Sequence, residues 1–295
     1  MRSWIFSILL LFCLPPQGLS QEKAGPEKAE KRSIIVEVEG SYQWGQDDAV
    51  DKAKKRAYQD AHEKAYSRAE LRVRSEALVQ NELLKYSIVK TEAGCALRML
   101  DEKEAPIEWG KPVRVWIRAE VLYALLDREN RPASPEALAD NPKAPLAVKV
   151  WTEKRRYRQG EHIVIYLRGN KSFYGRVVSV NPNGRIYQLL PNEFRRDHYF
   201  EGGKTYQVPD RGQGDQFDIT VGSPPYGREQ IVVYASSAPQ GQIRTVPIGG
   251  GAISEFTGSR EALDRGVRTI EVTPRPGALP EADFIEATWT VDTSP

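Results

Sequence analysis

YRQGEHIVIYLRGNKSFYGRVVSVNPNGRIYQLLPNEFRRDHYFEGGKTYQVP, residues Tyr157 to Pro209, decides the fold. Apolar positions such as Val164, Tyr166, Val177 and Ile186 recur at period two. That is how a half-buried antiparallel strand is written. The runs are broken at Arg158-Gln159-Gly160, Gly169-Asn170 and Asn181-Pro182-Asn183-Gly184. Asn183-Gly184 is the strongest turn signal, because both residue types tolerate positive φ. The stretch holds no paired carboxylates, no metal-ligand spacing and no phosphate loop, so it reads as a sandwich-like binding or scaffold module.

At 295 residues the chain has room for about two domains. An apolar fraction of 40% with 28% charge is that of a protein with real cores. The net charge of +2 is spread over interspersed acids and bases, so no nucleic-acid partner is expected.

The first twenty residues are a different polymer. Arg2 supplies a positive start, Ile5 to Leu14 a short apolar run, and Gly18-Leu19-Ser20 small residues before a cut at Gln21. This is the pattern of a secretory signal peptide, too short to span a bilayer. Its expected loss removes Cys13 and leaves Cys95 as the single thiol, so no intramolecular disulfide is expected. Cys95 sits among apolar residues, as a buried small hydrophobe would, or else pairs between molecules.

Residues 21–32 are polar and read as a disordered tether. Residues 33–126 read as an α+β domain. Ser33 to Trp44 alternates as a strand, and Ala49, Ala53, Ala57, Ala61, Ala65 and Ala69 mark a long helix from Asp47 to about Gln80. A four-residue row drifts around a 3.6-residue helix, so the stripe must wind or the helix break near Arg72. Tyr86 to Leu100 and Val113 to Leu122 are the next expected strands. Pro132, Pro135, Pro142 and Pro145 mark a Pro/Ala linker over 127–145, with one helical turn at Pro135 to Ala139. From Leu146 to the end, residues 146–295 read as an all-β, immunoglobulin-like sandwich. It finishes with a short helix capped by Ser259 and closed by Gly266, then strands at Arg268 to Val272 and Phe284 to Asp292.

Residues 146 to about 239 carry LAVKVW, Tyr157 with Gly160-Glu161, Tyr174 with Val177-Val178, Gly184, Leu190-Pro191-Asn192, Gly203 and Val208-Pro209. On these the segment resembles the bacterial domain of unknown function 4384. The resemblance implies an immunoglobulin-type sandwich, often attached to exported or signalling proteins. Val38-Glu39-Gly40, the RAYQDAHEKAYSRA helix and the strand Val113 to Val121 are similar in layout to the N-terminal domain of flagellar assembly protein T and related small outer-membrane lipoproteins. That likeness implies an envelope role.

Catalysis needs a nucleophile, a base and an orienting acid within reach. The chain has three His residues. His62 falls on the charged part of a helix, as a solvated position. His162 enters a strand, and His198 lies beside Asp197 in FRRDHYF. A Cys95–His198–Asp197 set would join different domains, so no catalytic residues are assigned. Without Cys-X2-Cys or a spaced His pair, no zinc site is expected. Asp210, Asp215 and Asp218 leave calcium open as an alternative, but their spacing is not that of an EF-hand and a solvated loop is the better reading. No cofactor or metal is assigned. Half of the second domain's aromatics should point inward by strand alternation. The loop residues Phe194, Arg195, Arg196, His198, Tyr199 and Phe200 form the candidate interaction surface, since aromatics and Arg dominate binding hot spots.

The expectation is an exported, non-enzymatic envelope protein working through protein–protein contacts, periplasmic or envelope-associated and soluble after cleavage. A glycan- or peptidoglycan-binding module is the second reading, and a hydrolase the third.

Overall fold

The computed structural model describes residues 30–45, 48–78, 85–88, 97–126, 133, 138–222, 224–269 and 281–295. The expected signal segment, all but the end of the tether, and Cys95 lie outside the described residues.

The described residues open with β1 (Lys31–Tyr42), α1 (Val50–Leu78), β2 (Lys85–Ile88), β3 (Leu97–Glu104) and β4 (Val113–Leu126). Ile34, Val36 and Val38 of β1 point to one face, where Ala53, Ala57, Ala61, Ala65, Ala69 and Val73 meet them. The helix does not break near Arg72. Its alanine row winds, and stays buried because α1 crosses the twisted pair β1–β4. Gly40 sets how closely they approach: a Cβ there would lie 2.1 Å from the Ala57 carbonyl oxygen. The motif Val38-Glu39-Gly40 thus serves contact between helix and sheet.

The remaining strands are β5 (Val148–Thr152), β6 (Arg156–Arg158), β7 (Ile165–Gly169), β8 (Phe173–Val180), β9 (Ile186–Leu190), β10 (Tyr199–Phe200) and β11 (Thr205–Val208). They are followed by β12 (Arg228–Ser236), β13 (Val246–Ile248), β14 (Ile253–Phe256), helix α2 (Arg260–Val267) and β15 (Glu281–Ser294). The β8–β9 hairpin turns where expected, with Gly184 at φ +83° and its N–H donating to the Asn181 carbonyl. Strands β11, β7 and β5 form a three-stranded second sheet over the main one. Between the two lies the sandwich core of Leu146, Ile165, Leu167, Phe173, Leu190, Val233 and their neighbours.

The main sheet is continuous through both halves of the chain, in the order β13-β14-β9-β8-β12-β15-β1-β4-β2. Its middle is the last strand, β15, antiparallel both to β12 and to the first strand, β1. Register fixes which layer lies on which face, because directly opposed residues share a face. Ile34 opposes Asp283 and Arg32 opposes Ile285, so α1 and the second sheet cover the same face. Ile35 opposes Ala282 and Ser33 opposes Phe284 on the other face, where α2 packs. Among the described residues the architecture is mostly antiparallel sheet with two α-helices, α+β first and sandwich second.

Within the Pro/Ala segment, Leu138, Ala139 and Ala144 are buried, and Leu138 and Ala144 join the core under α1. Asn170 ties this segment down: its Nδ2 donates to the carbonyls of Asn141, Ala144 and Pro145, and its Oδ1 accepts from Ala147 N. Several boundaries differ from expectation. Tyr86 to Leu100 contains two strands, β2 and the start of β3, with 89–96 between them outside the described residues. Ser259 caps α2 as expected, its Oγ accepting from Ala262 N, but the helix runs through Gly266 and ends at Val267. Arg268 is its C-cap rather than a strand residue: its backbone keeps φ −84° and ψ −4°, its N–H donates to Gly266 O, and its guanidinium enters the ion pairs beneath α2. The rest of the expected strand, 270–272, lies outside the described residues.

Candidate interaction site

Asn192 organises the candidate loop. It follows the cis Leu190-Pro191 bond at the end of β9 and is buried. Its Oδ1 accepts from Phe194 N at 3.0 Å and Arg195 N at 2.7 Å. Its Nδ2 donates to Leu189 O at 2.9 Å and Ala252 O at 3.1 Å. All four capacities of one buried amide are used to hold the loop in a single shape against the β13–β14 turn. Gly251 stands beside the loop at φ +88°, a left-handed backbone that favours glycine, and its carbonyl accepts from Glu193 N at 3.3 Å.

The six candidate residues divide by environment. Phe194 is 46% exposed and packs over Phe217 with ring centroids 6.2 Å apart. Tyr199 is also 46% exposed and meets the Tyr174 ring edge-on at 5.2 Å. Arg196 is exposed, and His198 is half-buried with Nδ1 3.2 Å from the Arg196 carbonyl oxygen. Arg195 instead acts as an internal latch, its Nη1 donating to Gln207 O at 3.0 Å and lying 3.3 Å from Asp215 Oδ2. Phe200 is a correction: it is fully buried and stacks on Phe173 at 5.0 Å. Tyr199 and Phe200 form the short strand β10 against β8, and alternation turns one ring out and the next one in.

The latch joins this loop to a second one. Asp215 Oδ2 also accepts from Asp210 N at 2.7 Å. Arg211, Gly214, Asp215, Gln216, Phe217 and Asp218 line an open cleft of about 540 Å³ beside Phe194. The Arg211 guanidinium hydrogen-bonds Asp218 and holds its carboxyl below the usual carboxylate range. Sequence reasoning passed over this cleft. The Gly- and Asp-rich run from Asp210 was its only signal, and that composition equally marks a solvated loop.

His162 is exposed, with Nδ1 3.3 Å from Thr220 Oγ1, and Thr220 makes only an isolated bridge, although Ile219 to Val221 alternates like a strand. His62 is half-buried on α1 with Nε2 enclosed, rather than solvated. Asp197 Oδ1 accepts from Tyr199 N, a local turn contact. Asp215 and Asp218 are engaged by Arg195 and Arg211. Among the described residues no group of three His, Cys, Asp or Glu is placed to hold a metal ion, and no helix there is long and apolar enough to cross a membrane.

Two packed sheets, with a loop and cleft at one end of the inner core, define residues from Leu146 onward as a β-sandwich. Within it, residues 156–239 match the family described as Domain of unknown function (DUF4384). The match runs from β6 to just past β12 and takes in the Asn192 loop and the cleft. No curated protein and no solved structure matches the chain.

Proposed function

We propose that this is an exported, non-enzymatic protein of the cell envelope whose sandwich binds a protein partner through the Phe194–Tyr199 loop and the adjoining cleft. The observation that carries the reading is the pair of half-exposed rings, Phe194 and Tyr199, on a loop that buried Asn192 and Arg195 hold in one shape. Large apolar rings on a pre-organised loop lose little entropy on binding, which is how a small surface becomes a hot spot. The apolar N-terminal run and the likeness of residues 33–122 to envelope domains support export and location.

The test is affinity capture from envelope extract with wild type, Phe194→Ser and Tyr199→Ser. The reading expects a specific protein lost from both variants while their melting temperatures stay unchanged. A partner retained equally by both variants would contradict it.

A glycan-binding reading is favoured by a different observation. Trp151 and Tyr166 stack at 5.5 Å on the outer face of the second sheet, with the Lys149 ammonium 5.1 Å from the indole centroid. Cosedimentation with purified cell wall, reduced by Trp151→Ala and untouched by Phe194→Ser, would support it.

A further inference from the structure

The β8–β9 hairpin turns on Asn181-Pro182-Asn183-Gly184, and its tip holds reactive groups in an open place. Asn183 and Gly184 are both exposed. Gly184 stands at φ +83°, and nothing lies within 4 Å of where a Cβ would be. Arg185 N donates to Asn183 Oδ1 at 3.1 Å and to Asn181 Oδ1 at 2.9 Å. The ring closed by the first of these bonds contains both Asn183 Cγ and the backbone nitrogen of Gly184. It folds the side-chain amide back along the peptide that follows, and the donor polarises the amide carbonyl. Asn183 Nδ2 has no hydrogen-bond partner among the described residues.

The other asparagines of the described residues are guarded. Asn141 and Asn181 precede Pro142 and Pro182, whose nitrogens carry no hydrogen. Asn170 and Asn192 are buried, and their Nδ2 groups donate to backbone carbonyls of neighbouring segments. Asn183 alone among them joins an exposed, unheld amide to a following glycine.

We infer that Asn183 is a site of self-modification, where the chain converts its own amide into an acid. The Gly184 nitrogen gives its proton to solvent base and attacks Asn183 Cγ. A C–N bond forms, the Cγ–Nδ2 bond breaks, and ammonia leaves with a proton from water, closing a cyclic imide. Water then opens the imide. Opening at the side-chain carbonyl leaves aspartate, and opening at the backbone carbonyl leaves isoaspartate. Water and hydroxide are the sole co-reactants.

Two features of the turn act on the rate in opposite directions. The Arg185 N–H faces the oxygen on which negative charge develops, and the guanidinium of the same residue is held only loosely, 3.7 Å from Glu255. Against this, Gly184 N donates to Asn181 O at 2.9 Å, so the turn must open before attack. The conversion is therefore slow, and it marks the age of the molecule. Isoaspartate lengthens the backbone of the turn that sets the β8–β9 register, at the opposite end of β9 from the Asn192 loop.

The test ages the full chain in mildly alkaline buffer and reads the peptide containing residue 183 by mass spectrometry. Isoaspartyl methyltransferase with a labelled methyl donor gives a second readout on the same peptide. The mass change of amide to acid is expected at 183 before it reaches 141, 170, 181 or 192, and faster as pH rises. Asn183→Gln is expected to lose the label, because a longer side chain closes the imide far less readily, and to keep wild-type circular dichroism. A synthetic peptide of residues 178–189 should convert faster than the folded chain, since no Asn181 carbonyl holds its Gly184 nitrogen. A folded chain with no aspartate or isoaspartate at 183 once the peptide has fully converted would overturn the proposal. So would label on that peptide undiminished in Asn183→Gln.

Discussion

Arg268 Nε lies 2.7 Å from Glu120 Oε1, and both side chains are almost wholly buried beneath α2. The pair spans the molecule: Arg268 closes a helix of the sandwich half, whereas Glu120 stands on β4 of the N-terminal half. Ser33 Oγ on β1, between them, also donates to Glu120 at 2.7 Å. Arg268 Nη2 reaches Glu286 on β15 at 3.7 Å, and Arg260 holds the same carboxylate at 2.9 Å. The continuous sheet is therefore clamped on its α2 face by a charge network, in addition to the β1–β15 ladder.

Breaking that clamp from one side should be costly. Glu120→Ala leaves a buried guanidinium short of its counter-ion and is expected to destabilise the fold by about 3–5 kcal/mol. Glu120→Leu combined with Arg268→Met should recover most of that loss, because no charge is then stranded. Urea unfolding of the three variants checks both statements.

Gly40 is expected to reject any side chain. A Cβ on this residue would fall inside the contact distance of the α1 backbone, so Gly40→Val forces helix and sheet apart, at a cost of about 1–3 kcal/mol or more. Thermal unfolding followed at helix and strand wavelengths should show one lowered transition.

The two kinds of aromatic in the candidate loop separate cleanly. Phe200→Ala should lose about 3–5 kcal/mol as a core cavity. Phe194→Ser and Tyr199→Ser should fall within about 0.5 kcal/mol of wild type, as surface changes do. Asn192→Ala, which takes the partner from Leu189 O on β9, from Ala252 O in the β13–β14 turn and from two loop N–H groups, should cost about 1–3 kcal/mol. Urea unfolding of the four variants ranks them.

Glu229 offers a test in pH. Burial raises its carboxyl above the ordinary value of 4.5, although Thr293 Oγ1 donates to it at 3.1 Å. A raised carboxyl favours the folded state below its unfolded value and loses that advantage as pH climbs through the folded value. Glu229→Gln should therefore raise the melting temperature at neutral pH, with the gain vanishing below the ordinary value. A gain that persisted into acid would contradict this assignment.

Local chemistry was legible wherever short-range rules govern it. Asn183-Gly184 announced its hairpin, the alanine row announced α1, and Ser259 announced α2. The pairing of β15 with β1 was not legible. It joins residues at opposite ends of the chain, and no local pattern encodes which strand completes a sheet. Phe200 was misplaced because a two-residue strand is too short for alternation to show against a loop. Asn192 stood in a recognisable Leu-Pro-Asn run, yet its four hydrogen bonds depend on Ala252, sixty residues away.

The proposed function rests on the Phe194–Tyr199 loop meeting a protein partner. Its sharpest test places a photoreactive amino acid at 194, at 199 and at the buried position 200, and crosslinks in intact cells. One discrete crosslinked protein is expected from 194 and 199, and none from 200. Identical patterns from all three positions, or no protein adduct from the two exposed ones, would show that the loop is not the binding surface.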